Sequence, residues 1–330
     1  MDTLPDLEGW VPVAASVRDG HLVADLCLVG ERPFTEPFFG DSVTACMRLP
    51  FNNAFRREAE VATMAAWLAA HPPLPVAGFI FHMSRCGSTL LAQVLGAADG
   101  NRVLSEPAPL DEALRGGADD PRIDSATRTA WLRAVVGMLA QRGRPTERRC
   151  IVKADSWHAA NIAEVLAAFP DTPWLFVVRE PVEVIVSHLR RPGPQTVPGL
   201  VGLRVPGLAD ENAVTLPREA YIARVLGAIC GAAERAFATA PARGLVVDYA
   251  ELPAAIESRV LPHFGIRPTP DEHAAMAAAL VRDAKNPRTA FTPDADAKRA
   301  EATAAVRAAA DAWVAESYRR LLALPQARGR

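Results

Sequence analysis

GFIFHMSRCGSTLL, Gly78 to Leu91, runs from an apolar stretch through a short polar turn into a second apolar pattern at helical spacing. This is the layout of a phosphate cradle at the carboxyl end of a strand. Backbone N–H groups of Cys86, Gly87, Ser88 and Thr89 would face an anion, the dipole of the following helix favours negative charge there, and Gly87 permits close backbone approach. Arg85 adds a mobile cation, so the loop from Arg85 to Leu90 is the expected anion site. No lysine stands between Gly87 and Ser88 and the upstream glycine spacing is wrong for a Walker A loop, which disfavours an ATP kinase.

Working outward, short apolar runs at Ala77 to Phe81, Arg102 to Leu104, Cys150 to Val152, Trp174 to Val178 and Gly244 to Val247 alternate with helical patterns. Such alternation predicts a three-layer α/β/α domain whose central, mainly parallel sheet binds ligands at the carboxyl ends of its strands. Ahead of it, residues 1–75 read as a small α+β segment. It has a strand over His21 to Val29, an aromatic cluster of Phe34, Phe38 and Phe39, and an Ala-rich helix from about Arg57 to Ala70. The prolines between His71 and Pro75 end that helix and mark a boundary, leaving 76–330 as the main domain. Arg191 to Leu216 is Pro- and Gly-rich without periodicity, either a lid over the site or a surface excursion. Helices follow near Arg218 to Thr239, Asp271 to Arg282 and Asp294 to Leu324.

With 330 residues, half of them hydrophobic, and a formal net charge of −2, the chain can bury one large core and offers no broad basic face for nucleic acid. Met1 to Pro12 is acidic and lacks an apolar core, so it does not read as a signal peptide, and no stretch is apolar enough to span a membrane. The scattered cysteines Cys27, Cys46, Cys86, Cys150 and Cys230 suggest neither disulfides nor a zinc site, and a cytoplasmic location is the default. Only three lysines occur, Lys153, Lys285 and Lys298, against many arginines.

A second motif completes the reading. In WLFVVREPVEVIVSH, Trp174 to His188, a strand ends at Arg179 and Pro181 opens a helix that carries Ser187 two turns on, so both side chains can converge on one phosphate. Together the two segments resemble the family of sulfotransferases that use 3′-phosphoadenosine 5′-phosphosulfate (PAPS). The resemblance implies that Arg85, Cys86, Gly87, Ser88, Thr89 and Leu90 surround the 5′-phosphosulfate, with Arg179 and Ser187 on the 3′-phosphate. IVKAD, Ile151 to Asp155, resembles the family strand whose lysine, here Lys153, contacts the transferring group. KNPR, Lys285 to Arg288, matches a late basic loop that would also reach the 3′-phosphate, and VVDYAEL, Val246 to Leu252, is a looser match. The loop is closer to the tyrosyl-protein branch, which also has Arg-x-Gly, although Cys86 replaces the usual Ser.

Sulfuryl transfer needs in-line geometry and cations on the leaving oxygen, and requires no metal where the protein supplies the charge. Arg85, Lys153, Glu106 and Asp155 are the expected catalytic residues. Glu106, in VLSEP, stands where the tyrosyl-protein branch has its base, and Asp155 where the small-molecule branch has a histidine; His82 and His158 are weaker candidates. Two alternatives stay open: a P-loop kinase or hydrolase with Asp248 holding Mg²⁺, and a non-catalytic nucleotide-binding homologue. The acceptor is expected to be a small molecule or lipid, its identity and the oligomeric state being unreadable.

Overall fold

The computed structural model describes residues 5–202, 205, 208–285 and 294–324. Among the described residues, eight strands fall into two sheets. β1 (Trp10–Arg18), β2 (His21–Leu28) and β3 (Arg57–Glu60) form an antiparallel sheet in the order β1-β2-β3. β4 (Val76–His82), β5 (Asn101–Ser105), β6 (Arg149–Lys153), β7 (Trp174–Val178) and β8 (Gly244–Asp248) form a parallel sheet in the order β5-β6-β4-β7-β8. Helices connect the parallel strands, as parallel pairing demands. The result is the expected α/β architecture.

The five parallel strands read as continuous apolar runs because both faces are covered. Phe79, Ile80, Phe81, Trp174, Leu175 and Phe176 are all essentially inaccessible. β4 lies at the centre, flanked by β6 and β7, so its loop Met83 to Gly87 opens where the two halves of the sheet diverge. The register pairs Ser105 with Lys153 and Lys153 with Ile80, which brings the ends of β5, β6 and β4 level.

Three sequence expectations change. A strand, β1, precedes the expected one and closes a hairpin through Asp19 and Gly20, both at positive φ (50° and 82°), as tight hairpin turns require. The helix expected from Arg57 starts at Val61, because Arg57 to Glu60 instead pair with β2, where Ala59 sits opposite Ala24 in the core. The C-terminal helix is three helices, Ala295–Glu301, Ala304–Trp313 and Ala315–Leu322. Extended Ala302 interrupts the first, and the Thr303 hydroxyl caps the second by accepting the Val306 N–H at 3.2 Å.

Candidate active site

β4 delivers its chain end into a tight turn held by unusual backbone angles. Ser84, Arg85 and Gly87 have φ of 80°, 51° and 85°, and Gly87 caps the helix Ser88–Gly96. A Cβ on Gly87 would lie 2.7 Å from Cδ2 of Tyr249, so glycine is required by the backbone and by the ring packed over it. The first N–H groups of the helix have no carbonyl partner within it, and Ser88, Thr89 and Leu90, which carry them, line the opening. Cys86 is fully buried, which raises its thiol to about 11, so its backbone and not its side chain is what the cleft can use.

The turn forms one wall of a cleft of about 610 Å³ at the carboxyl ends of the strands. Arg85, Cys86, Gly87, Ser88, Thr89, Leu90, Glu106, Asp155, Arg179, Ser187 and Lys285 all line it, whereas Lys153 does not line it and lies buried against Glu106. Arg288 lies outside the described residues. The first part of the Arg191 to Leu216 loop closes one side: Arg191, Pro192, Gly193, Pro194 and Gln195 line the cleft, and the Arg191 carbonyl accepts from the Arg85 guanidinium at 2.8 Å.

Cations dominate. Lys153 is completely buried and pairs with Glu106, and its Nζ lies 5.5 Å from the centre of the Phe38 ring. Arg179 is 5% exposed; its Nε donates to Glu183 at 2.7 Å, one terminal nitrogen to Asp294 at 3.1 Å, and its guanidinium stacks 4.0 Å over Tyr249. Among the described residues, no carboxylate forms an ion pair with the Lys285 ammonium, although its backbone N–H donates to Asp283 at 2.9 Å. Desolvation and then repulsion from Arg85 and Lys153 lower its ammonium to about 8, and burial with the neighbouring Arg191 charge lowers Arg85.

The candidate bases separate on environment. Burial works to raise the Glu106 carboxyl, but the Lys153 ammonium and the hydrogen bond from His82 outweigh it, leaving an ionised carboxylate below the ordinary range. Asp155 is pushed well above that range by burial and by the Glu106 charge, and its carboxyl caps the following turn by accepting the His158 N–H. The Nδ1 atom of His82 accepts the Ser84 N–H at 3.1 Å, so its proton sits on Nε2, 3.1 Å from the Ala154 carbonyl and 3.5 Å from Glu106. Burial favours that neutral form. His158 likewise accepts the Asp155 N–H at 3.2 Å on Nδ1 and binds Asp111 at 2.7 Å through Nε2, holding the turn after β6. Asp248 is not in the cleft; its carboxylate accepts from Tyr318 at 2.6 Å and from the Ala250 N–H at 2.9 Å, so it does not face the phosphate loop.

Tyr249, Arg191 and Asp294 are site residues that the motifs did not single out. Tyr249 lay in the quoted VVDYAEL segment, and Arg191 at the start of the proposed lid; Asp294 carried no signal. Among the described residues, no group of three or more His, Cys, Asp or Glu side chains is placed to hold a metal ion, and no helix is long and apolar enough to cross a membrane.

No family model matches this chain, and neither does any curated protein. Among solved structures it is similar to the sulfotransferase STF9 from Mycobacterium avium, with 16% identity and a TM-score of 0.50 over 81% of this chain and 83% of that one. It is also similar to the sulfotransferase domain from the curacin biosynthetic pathway, with 16% identity and a TM-score of 0.45 over 73% of this chain and 98% of that one. The parallel five-stranded sheet with its flanking helices is therefore the fold found in the sulfotransferase STF9.

Proposed function

We propose that the protein is a PAPS-dependent sulfotransferase acting on a hydroxyl or amine of a small-molecule or lipid acceptor. The observation that carries this reading is the convergence of Arg85, Arg179, Arg191 and Lys285 on the cleft beside the glycine turn, with Lys153 buried against the cleft residue Glu106. A cleft that concentrates positive charge at a helix N-terminus is complementary to a polyanion.

In this reading the turn from Arg85 to Leu90 holds the 5′-phosphosulfate through backbone N–H groups and the Ser88 and Thr89 hydroxyls. Arg179, Ser187 and Lys285 take the 3′-phosphate. The acceptor oxygen forms a bond to sulfur as the bond between sulfur and the 5′-phosphate oxygen breaks, and charge on that leaving oxygen falls to Arg85 and Lys153. The acceptor proton goes to Glu106, which is ionised, in preference to Asp155, which keeps its proton over more of the pH range. Lys153 serves both partners. While it pairs with Glu106 the carboxylate is a weak base, and as it turns to the charge developing on the donor, Glu106 becomes basic enough to accept the proton.

The test is binding of adenosine 3′,5′-bisphosphate against ATP with Mg²⁺, measured by calorimetry on wild type and Arg179→Ala. The reading expects metal-independent binding of the bisphosphate that falls about 10- to 100-fold in the variant, the loss of a charge-assisted pair being worth about 1.5–3 kcal/mol. Preference for Mg–ATP, or no binding of either nucleotide, overturns it.

A further inference from the structure

A second cavity of about 520 Å³ adjoins the cleft at the β5 edge of the sheet. Its walls include Phe34, Ala97, Ser105, Ala279 and Ala284, mostly apolar surface. The volume falls within the range of small-molecule sites. Two features tie it to the chemistry next door.

The first is position. Arg179 ends β7, on one side of the central β4, whereas Glu106 follows β5, on the other. The proposed donor ligand Arg179 and the proposed base thus lie on opposite sides of the phosphate turn, and the cavity is on the side of the base. The second is continuity. Asp283 and Ala284 line both spaces, Ser105 directly precedes Glu106, and the cavity residue Pro37 directly precedes the cleft residue Phe38. Glu106 itself has a φ of 58°, which departs from the extended path of β5 just where its carboxylate enters the cleft.

We infer that this cavity receives the apolar body of the acceptor, a chain or ring system that extends away from the reacting hydroxyl at Glu106. The substrate class is therefore an apolar alcohol with a body longer than the cleft alone can cover. This rests on the sulfuryl-transfer reading above and adds where the acceptor lies and what it is made of.

The test titrates hexanol, octanol and decanol by calorimetry into wild type and into Ala97→Phe, which fills the cavity without touching the cleft. Ala279→Phe serves as a second filling variant should the first fail to fold. Adenosine 3′,5′-bisphosphate is titrated into each protein, and sulfated alcohol formed from PAPS is followed by mass spectrometry. Affinity and kcat/KM should rise roughly three- to fourfold per methylene in wild type and become flat in the filled variants, with bisphosphate binding unchanged. The same chain-length dependence in filled and wild-type proteins, no binding of decanol to wild type, or decanol bound but not sulfated by a protein that binds the bisphosphate, overturns the inference. Failure of the bisphosphate to bind any of the proteins strikes instead at the donor reading and, with it, at the assignment of the cavity to an acceptor.

Discussion

Lys285 shows what a single residue contributes when its neighbours share its sign. Desolvation and the Arg85 and Lys153 charges push its ammonium down to about 8, Arg191 adds to the repulsion and Glu106 opposes it. A bound phosphate reverses the balance, so anion binding takes up a proton in the region where the free protein has begun to lose it. Bisphosphate affinity should therefore fall as pH rises from about 7 to about 9, with proton uptake visible by calorimetry in buffers of different ionisation enthalpy. Lys285→Met should bind more weakly at the lower pH and lose this pH dependence; the same pH dependence in variant and wild type removes Lys285 from the site. The stability effect has the opposite sense: the folded chain holds fewer protons than the unfolded chain between about 8 and the usual lysine value, so this group's contribution improves as pH rises through that window. Lys285, Arg85, Arg179 and Glu106, which line one cleft, were readable as candidates in sequence because each stands at the end of an apolar run or beside a turn, where an α/β sheet gathers its ligands. Asp294 was not, since only the packing of the helix Ala295–Glu301 puts its carboxylate on Arg179 and 2.7 Å from Lys298. Nor could spacing tell Glu106 from Asp155, because their difference lies in which of them pairs with Lys153.

At the scale of the element, β4, its turn and the helix Ser88–Gly96 act as one device whose geometry depends on Gly87. Gly87→Ala would place a methyl group at a φ of 85° and 2.7 Å from a ring carbon of Tyr249, which itself stacks against Arg179. We expect a loss of about 1–3 kcal/mol in stability together with weaker bisphosphate binding, read from thermal unfolding and calorimetry on the same sample. An unchanged melting temperature with unchanged affinity would show that the turn tolerates a side chain. The parallel strands were legible because they are buried on both faces, which makes burial and sequence pattern the same signal. Elsewhere the signals diverge. The Asp19-Gly20 pair announces a hairpin and thus a strand before His21, whereas Arg57 to Glu60 form β3 only because β2 offers them an open edge. Alanine runs near the C-terminus carry helix propensity without marking ends, so the breaks at Ala302 and Val314 come from caps and contacts: a Cβ on Gly227 would lie 2.2 Å from the Trp313 carbonyl oxygen.

For the whole molecule, the question is whether residues 1–75 stand apart from the rest. The antiparallel sheet packs on the helices Ala108–Arg115 and Ser125–Leu139, and one contiguous apolar core runs from Leu7 to Leu321. Polar ties cross the same seam: Gln141 accepts the Gly9 N–H at 3.1 Å and donates to the Trp10 carbonyl at 2.7 Å, and Glu112 accepts the Val17 N–H at 3.2 Å. Leu7, Val11, Leu22, Leu26, Phe39, Met64 and Trp67 are all nearly inaccessible. Burial of each such side chain is worth about 1.5–3 kcal/mol, so together they match or exceed the ~5–15 kcal/mol by which a typical domain is stable. The segment also brings Phe38 to Lys153 and Phe34 to the second cavity. The chain should consequently unfold in one cooperative transition, with calorimetric and van't Hoff enthalpies equal, and a chain beginning at Val76 should lack that transition and bind hydrophobic dyes. Were the shortened chain instead to melt cooperatively and bind the bisphosphate with wild-type affinity, the N-terminal sheet would be an independent unit, and its part in the site would be confined to the acceptor side, where Phe34 and Phe38 lie.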